Sequence, residues 1–194
     1  TPKEQKCCGA PHLTEGDRDT TKLIAQHNLD LFMALDVDAI VTDCAGCGAA
    51  LKEYEELLEE AGEHDKLATF RAKIKDVSEF VAEQGLRTEG LKPVKKIVTY
   101  QEPCHLCHAQ GISKQPRELI KAIPGIVYRE MEEASWCCGS AATFSLKYTT
   151  ESQQILDRKL ENIRATGAEL LVTANHGCHL QLAWGLKQAG MTQE

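Results

Sequence analysis

The sequence predicts an α/β fold made of two duplicated, cysteine-rich repeats, each with a small, mainly parallel sheet and flanking helices. A Cys-Cys-Gly triplet occurs twice, at residues 7–9 and 137–139. The helical, strand-like and Gly-Cys segments that follow each triplet come in the same order, which indicates an internal repeat. Short apolar runs of strand length alternate with helical patterns, and this alternation is typical of parallel α/β packing.

In the first repeat, a long amphipathic segment follows the triplet, with apolar residues at helical spacing from Leu23 to Leu35. The apolar run at 39–42 predicts a strand that ends just before Cys44-Ala45-Gly46-Cys47. A second helix is predicted over 49–60.

In the second repeat, Gly167 follows the long helical pattern at a place typical of a helix C-cap. Gly85, Gly90 and Pro93 mark the boundary between the halves. The predicted domains are therefore 1–90, whose N-terminal part is expected to be missing, and 91–194. The predicted elements of the second repeat are a strand at 96–100, a helix around 155–163, a strand at 170–173 and a helix at about 180–188.

The two repeats align on the Val-Thr pair that ends each strand. Cys47 then falls on Cys178, and Cys44 falls on Asn175. The intervals agree closely, with 35 residues between Cys8 and Cys44 and 36 between Cys138 and Asn175. This agreement indicates a duplication in which the second copy has lost one thiol.

The predicted topology brings two sets of cysteines to the carboxyl ends of strands, where open α/β sheets bind their ligands. Helices that begin there present N–H groups and a positive dipole end, which stabilise thiolates. Thiolates suit an iron–sulfur cluster or tetrahedral zinc, and adjacent cysteines favour the multi-iron cluster because neighbouring side chains diverge. The first set is Cys7, Cys8, Cys44 and Cys47, and the second is Cys104, Cys137, Cys138 and Cys178.

Two residues beside Cys104 add to the second set. His105 is a further candidate metal ligand, and a polar loop contact is the alternative. Cys107 lies outside the repeat pattern, and one alternative for it is a spare or resolving thiol.

Composition excludes several classes of protein. The chain has 194 residues with 22 Lys and Arg and 29 Asp and Glu, so its formal net charge is -7. This balance argues against nucleic acid as a partner, because phosphate neutralisation needs clustered cations. No apolar stretch approaches the ~20 residues of a transmembrane helix. Nine cysteines without an export signal indicate metal or redox chemistry in a reducing compartment rather than a disulfide framework.

We expect the chain to be a piece of a longer protein. It begins at Thr1 rather than at Met. In the second repeat, 32 residues separate Cys104 from Cys137, and an equivalent cysteine at that distance before Cys7 would lie upstream of this sequence.

These motifs resemble those of the CCG cysteine-rich domain family, which includes a subunit of heterodisulfide reductase and iron–sulfur subunits of several dehydrogenases. The sequence is most similar to glycolate oxidase iron–sulfur subunits, of which it corresponds to the C-terminal part. The resemblance is carried by Ala45-Gly-Cys-Gly-Ala-Ala-Leu-Lys-Glu-Tyr54, Pro103-Cys-His-Leu106 and Trp136-Cys-Cys-Gly-Ser-Ala141. Glu102 and His176 depart from the family pattern, in which Asp and Pro are usual.

The resemblance implies an electron-transfer subunit that is inactive alone. A flavoprotein partner would oxidise glycolate to glyoxylate, and electrons would pass through iron–sulfur centres toward a quinone. The two sets of cysteines would each hold one centre, a [4Fe-4S] cluster of cubane or non-cubane form, with zinc as the alternative in one repeat. The implied location is the cytoplasm, with contact to the inner face of the membrane only through partners.

Two other interpretations remain. The first is a zinc-stabilised structural or interaction module of a lactate or glycolate dehydrogenase or of a heterodisulfide reductase-like complex. The second is a thiol–disulfide enzyme that uses the adjacent cysteines. No G-x-G-x-x-G follows a predicted strand, so the chemistry on the organic substrate is assigned to a partner chain.

Overall fold

The computed structural model describes residues 1–193, so Glu194, the last residue of the predicted second domain, lies outside the described part. The chain divides into two compact units, Thr1–Val77 and Ser78–Glu194. Each unit contains one Cys-Cys-Gly triplet and one small sheet, and every strand pairing is parallel. The predicted α/β fold with two small parallel sheets is confirmed. The domain limits at residues 90 and 91 stay a prediction, because the compact units are defined by contacts and not by the duplication.

The first unit has a two-stranded sheet in which Ile40 of β1 lies opposite Ile74 of β2. Its core includes the stacked rings of Tyr54 and Phe70, whose centroids are 5.6 Å apart. Its elements are α1 (Ala10–Thr14), α2 (Arg18–Met33), β1 (Ile40–Thr42), α3 (Ala45–Lys52), α4 (Tyr54–Leu57), a 3₁₀ turn (Glu59–Ala61), α5 (His64–Lys73) and β2 (Ile74–Asp76).

The second unit has a three-stranded sheet with the strand order β4-β3-β5. The central strand β3 pairs on both sides at Val98, which lies opposite both Tyr128 and Leu170. The elements from the unit boundary onward are α6 (Val77–Gln84), β3 (Ile97–Gln101), a π-helical turn (His105–Ala109), α7 (Lys114–Lys121), β4 (Val127–Tyr128), α8 (Phe144–Lys147), α9 (Thr149–Thr166), β5 (Leu170–Thr173) and α10 (His176–Gln188).

The long helices α2 and α9 show the duplication in their buried faces. The Asp17 carboxylate caps α2 by accepting the Thr20 N–H at 3.1 Å, and α9 ends at Gly167 in the left-handed region, as predicted. Both helices bury residues at spacings of three and four, so that one face of each meets the core. The corresponding buried pairs, each 131 residues apart, are Thr21 and Ser152, Ala25 and Leu156, Asn28 and Lys159, Leu29 and Leu160, and Phe32 and Ile163.

Several element bounds differ from the sequence-based expectation. The helix predicted over 49–60 begins at Ala45 and is divided into α3, α4 and a 3₁₀ turn. The helix predicted at about 180–188 begins at His176. Strands β2 and β4 were not predicted, because runs of three and two residues are too short to show a pattern. Within residues 1–193, no helix is long and apolar enough to cross a membrane.

Candidate metal centres

The four cysteines predicted as the first set lie together in the first unit. Cys7 and Cys8 precede α1, Cys44 is the N-cap of α3, and Cys47 lies in the first turn of that helix. Their side chains are hydrogen-bonded in the order Cys7, Cys8, Cys47, Cys44. The fold thus joins the Cys-Cys-Gly turn to the Gly-Cys loop after β1.

The four cysteines of the second set are joined in the same way. Cys104 follows β3 and precedes the π-helical turn, and Cys178 lies in the first turn of α10. Side-chain hydrogen bonds run in the order Cys104, Cys137, Cys138, Cys178. All four thiols therefore meet at the carboxyl end of the β4-β3-β5 sheet, as the topology predicted.

The glycine of each triplet sets the geometry of its turn. Gly9 and Gly139 both have a φ of 88°, which an L side chain rarely adopts. This conformation directs backbone N–H groups at sulfur, those of Ala10 and Ser140 to the second cysteine of each pair. In addition, the Gly139 N–H donates to Cys137 Sγ at 3.3 Å.

The turns also pack closely against the long helices. A Cβ added to Gly139 would lie 2.6 Å from the carbonyl oxygen of Ser152 on α9. A Cβ added to Gly9 would lie 3.0 Å from Cγ2 of Thr21 on α2. At Gly139 both the backbone conformation and the space exclude a side chain, whereas at Gly9 the conformation disfavours one and the contact would be tight. Each thiol pair therefore lies directly against a helix.

The residue aligned with Cys44 keeps its structural position but changes its chemistry. Cys44 and Asn175 are both N-cap residues with extended backbones, with φ values of -124° and -149°. The Asn175 amide donates to Cys178 Sγ at 3.5 Å. In the second unit, an amide that donates to a sulfur thus replaces the sulfur found in the first.

Hydrogen bonds between the thiols favour ionisation of some of them. The hydrogen bond from Cys47 is the main cause that lowers the pKa of Cys8, to about 6. The hydrogen bond from Cys104 likewise lowers the pKa of Cys137. Each set therefore contains a cysteine whose lowered pKa favours the thiolate, which is the form that binds metals.

The donor chemistry of both sets fits a thiolate-held iron–sulfur cluster, which takes cysteine sulfurs and is tuned by N–H groups directed at them. In the part of the chain that the structure describes, no group of three His, Cys, Asp or Glu side chains could hold a metal ion. The hydrogen bonds join the sulfurs of each set in series, from one cysteine to the next.

His105 and Cys107 lie beside the second set. His105 is exposed, and its Nδ1 is 3.6 Å from Cys104 Sγ. The Cys107 thiol donates to the carbonyl oxygen of Cys104 at 3.7 Å and is not a member of the series of sulfur contacts.

An ion pair fixes the end of β3 just before Cys104. Glu102 is buried, and Arg117 of α7 donates to its Oε1 at 2.7 Å and to its Oε2 at 3.3 Å. Arg117 also donates to Glu130 Oε1 at 2.9 Å and lies over the Tyr100 ring, 5.4 Å from its centroid. Sequence reasoning noted Glu102 only as a departure from the family pattern. In the structure, its ion pair with Arg117 fixes the backbone two residues before Cys104.

Sequence reasoning did not single out Lys159, which the structure places beside the second set. Its side chain is fully buried on α9, and Nζ donates to the carbonyl oxygens of Glu133 at 2.6 Å and Ala134 at 3.2 Å. Burial lowers the pKa of Lys159. The signal that the sequence offers is its alignment with Asn28, 131 residues earlier.

Comparison with known proteins agrees with the motifs. The chain is 42% identical over 193 residues to a probable glycolate oxidase iron–sulfur subunit of Bacillus subtilis, which covers 98% of this chain and 44% of that protein. It is 31% identical over 195 residues to lactate utilization protein A of Shouchella clausii, an alignment that covers 100% of this chain and 80% of that protein. It is 31% identical over 191 residues to a fumarate reductase (CoM/CoB) subunit of Methanothermobacter marburgensis, an alignment that covers 98% of this chain and 36% of that protein.

The chain thus spans less than half the length of the first of these relatives. The profile of the cysteine-rich domain family CCG matches residues 1–52 and 98–183. Each matched range contains one of the two thiol sets, and together the ranges cover more than half of the sequence. The chain belongs to the CCG cysteine-rich domain family.

Proposed function

We propose that the chain is the iron–sulfur, electron-transferring part of an oxidoreductase complex. The observation that carries this proposal is the presence of two four-thiol series, one at the carboxyl end of each parallel sheet. When bound, an iron–sulfur cluster supplies electron storage at a potential set by charge, hydrogen bonds and exposure.

The chain's own residues have three roles in this proposal. The eight cysteines act as ligands, and the glycine turns direct N–H groups at their sulfurs. Packing excludes water from part of the second set, since Cys138 and Cys178 are buried. Cys7 is exposed and Cys104 is half-buried, so an electron can enter or leave close to the surface.

The cofactor proposed for the second set is a [4Fe-4S] cluster, cubane or non-cubane. The first set holds either a second cluster or zinc. His105 is proposed as a further ligand of the second centre because its ring already contacts Cys104 Sγ.

The proposed reaction of the whole complex is the oxidation of glycolate to glyoxylate. This oxidation releases two electrons and two protons, which a flavoprotein partner would accept before passing electrons on singly to this chain. A quinone would be the final acceptor, reached through partners at the inner face of the membrane. Glycolate is preferred to lactate because the relative named for glycolate oxidase is 42% identical to the chain over 193 aligned residues, against 31% over 195 for lactate utilization protein A.

A redox cycle tests the electron-transfer proposal against the zinc-module alternative. The chain is purified without oxygen, reduced with dithionite and reoxidised with ferricyanide while its visible spectrum is recorded. We expect absorption that bleaches and returns, in the wild type and in Cys107→Ser. In Cys178→Ser, part of this absorption should be lost. A colourless protein with zinc and no bleaching would instead establish a structural module.

A further inference from the structure

Lys159 lies on the helix face that supports the second thiol set. Its neighbours on that face, Leu156 and Leu160, belong to the same core cluster as Cys138 and Cys178. The Lys159 side chain has no exposed surface. A buried ammonium group is costly unless nearby groups compensate its charge.

Two backbone carbonyl groups compensate part of that charge and fix the position of Nζ. They belong to Glu133 and Ala134, in the loop that leads into the Cys137-Cys138 pair. Helix α9 also binds this loop through two further side chains. Arg158 and Asn162 both donate to Oε2 of the Glu133 carboxylate, each at 2.9 Å. Glu133 has a φ of 52°, so the loop is held in a conformation that few non-glycine residues adopt.

The ammonium group also lies close to the thiol pair along the chain, because Ala134, whose carbonyl oxygen it contacts, is three residues before Cys137. An anionic centre held by the pair would therefore attract this ammonium group. Inside a protein such attraction is screened less than in water, so a buried cation influences an anionic centre across several ångströms.

The first repeat has a neutral side chain at the matching position. Asn28 donates to the Cys7 carbonyl oxygen at 2.9 Å, and its Oδ1 accepts the Lys6 N–H at 3.0 Å. It also donates to the Tyr54 hydroxyl at 3.1 Å. Asn28 thus positions the backbone of its thiol pair without bringing a charge. Among the described residues of the first unit, the buried charged side chain is that of Asp76, an acid.

We propose that Lys159 is a fixed positive charge for the centre held by the second set, and that it makes this centre easier to reduce than a neutral side chain at the same position would. This inference rests on the proposed function, since it requires an iron–sulfur centre in the second set. Reduction adds an electron and makes a thiolate-held centre more negative. A buried cation stabilises that reduced form more than the oxidised form, whereas the amide of Asn28 does so only weakly.

The test is a redox titration of the full chain, followed by electron paramagnetic resonance. Loss of a signal in Cys178→Ser assigns it to the second centre. In Lys159→Met, we expect the one-electron reduction equilibrium of that centre to become about tenfold less favourable, which is a fall of 59 mV. Lys159→Arg keeps the charge and should restore the wild-type potential. Lys187→Met removes an exposed lysine of the same unit and serves as the control.

Lys159→Gln provides a second neutral variant, because it copies the amide of the first repeat and keeps N–H donors for the loop carbonyl groups. It should show the same fall if Lys159→Met does not fold. Potentials of these variants equal to that of Lys187→Met would overturn the proposal for Lys159 and leave the electron-transfer function standing. A wild-type chain without iron would overturn both.

Discussion

The close packing of the Cys-Cys-Gly turn on α9 gives a quantitative prediction for Gly139→Ala. A φ of 88° costs an alanine about 1–2 kcal/mol. The new Cβ would also lie 2.6 Å from the Ser152 carbonyl oxygen, and overpacking of this kind costs about 1–3 kcal/mol. We therefore expect the free energy of unfolding of the second unit to fall by about 2–5 kcal/mol.

Gly111→Ala is the matched control. Gly111 also has a positive φ, 69°, but a Cβ there would meet nothing within 4 Å. Its expected cost is the conformational part alone, about 1–2 kcal/mol. The assay is urea unfolding of the metal-free, reduced protein followed by tryptophan fluorescence. Both tryptophans, Trp136 and Trp184, lie in the second unit, so the signal reports that unit. Equal losses in the two variants would refute the packing of the turn against α9.

Two further substitutions, each with a matched control, test the packing around the second centre, with circular dichroism during urea unfolding as the measurement. Arg117→Met should cost about 3–5 kcal/mol because it leaves the buried Glu102 without its main cation. Arg71→Met breaks an exposed ion pair and should cost only about 0–1 kcal/mol, so similar losses would contradict this ranking. Leu156→Ala should cost about 2–5 kcal/mol, since Leu156 is fully buried. Leu146→Ala, at a position 78% exposed, should change the free energy of unfolding by less than about 0.5 kcal/mol. Equal effects of Leu156→Ala and Leu146→Ala would show that α9 does not pack in the core.

The duplication made much of the fold predictable. Two copies of one pattern located β5 at 170–173 and the end of α9 at Gly167, both of which the structure confirms. The start of α3 was missed because Gly46 and Gly48 favour a loop by intrinsic propensity. Burial of Ala45, Gly48 and Ala49 overrides that preference and extends the helix to the Cys44 N-cap.

The thiol sets were predictable from spacing, whereas their supports were not. A lysine in an amphipathic pattern is normally exposed, so Lys159 carried no local signal of burial. The pairing of Glu102 with Arg117 joins the end of a strand to a helix 15 residues later, and only tertiary packing brings them together. The sequence therefore located the sulfurs but not the charges that surround them.

The most direct test of the central claim is the content of iron and acid-labile sulfide in the chain, purified and reconstituted without oxygen. We predict iron and sulfide in comparable amounts in the wild type and in Cys107→Ser. Cys47→Ser and Cys178→Ser disrupt one series of thiols each, and at least Cys178→Ser should lose iron. Zinc alone, or no metal in any of these proteins, would contradict the assignment of the two thiol sets as iron–sulfur sites.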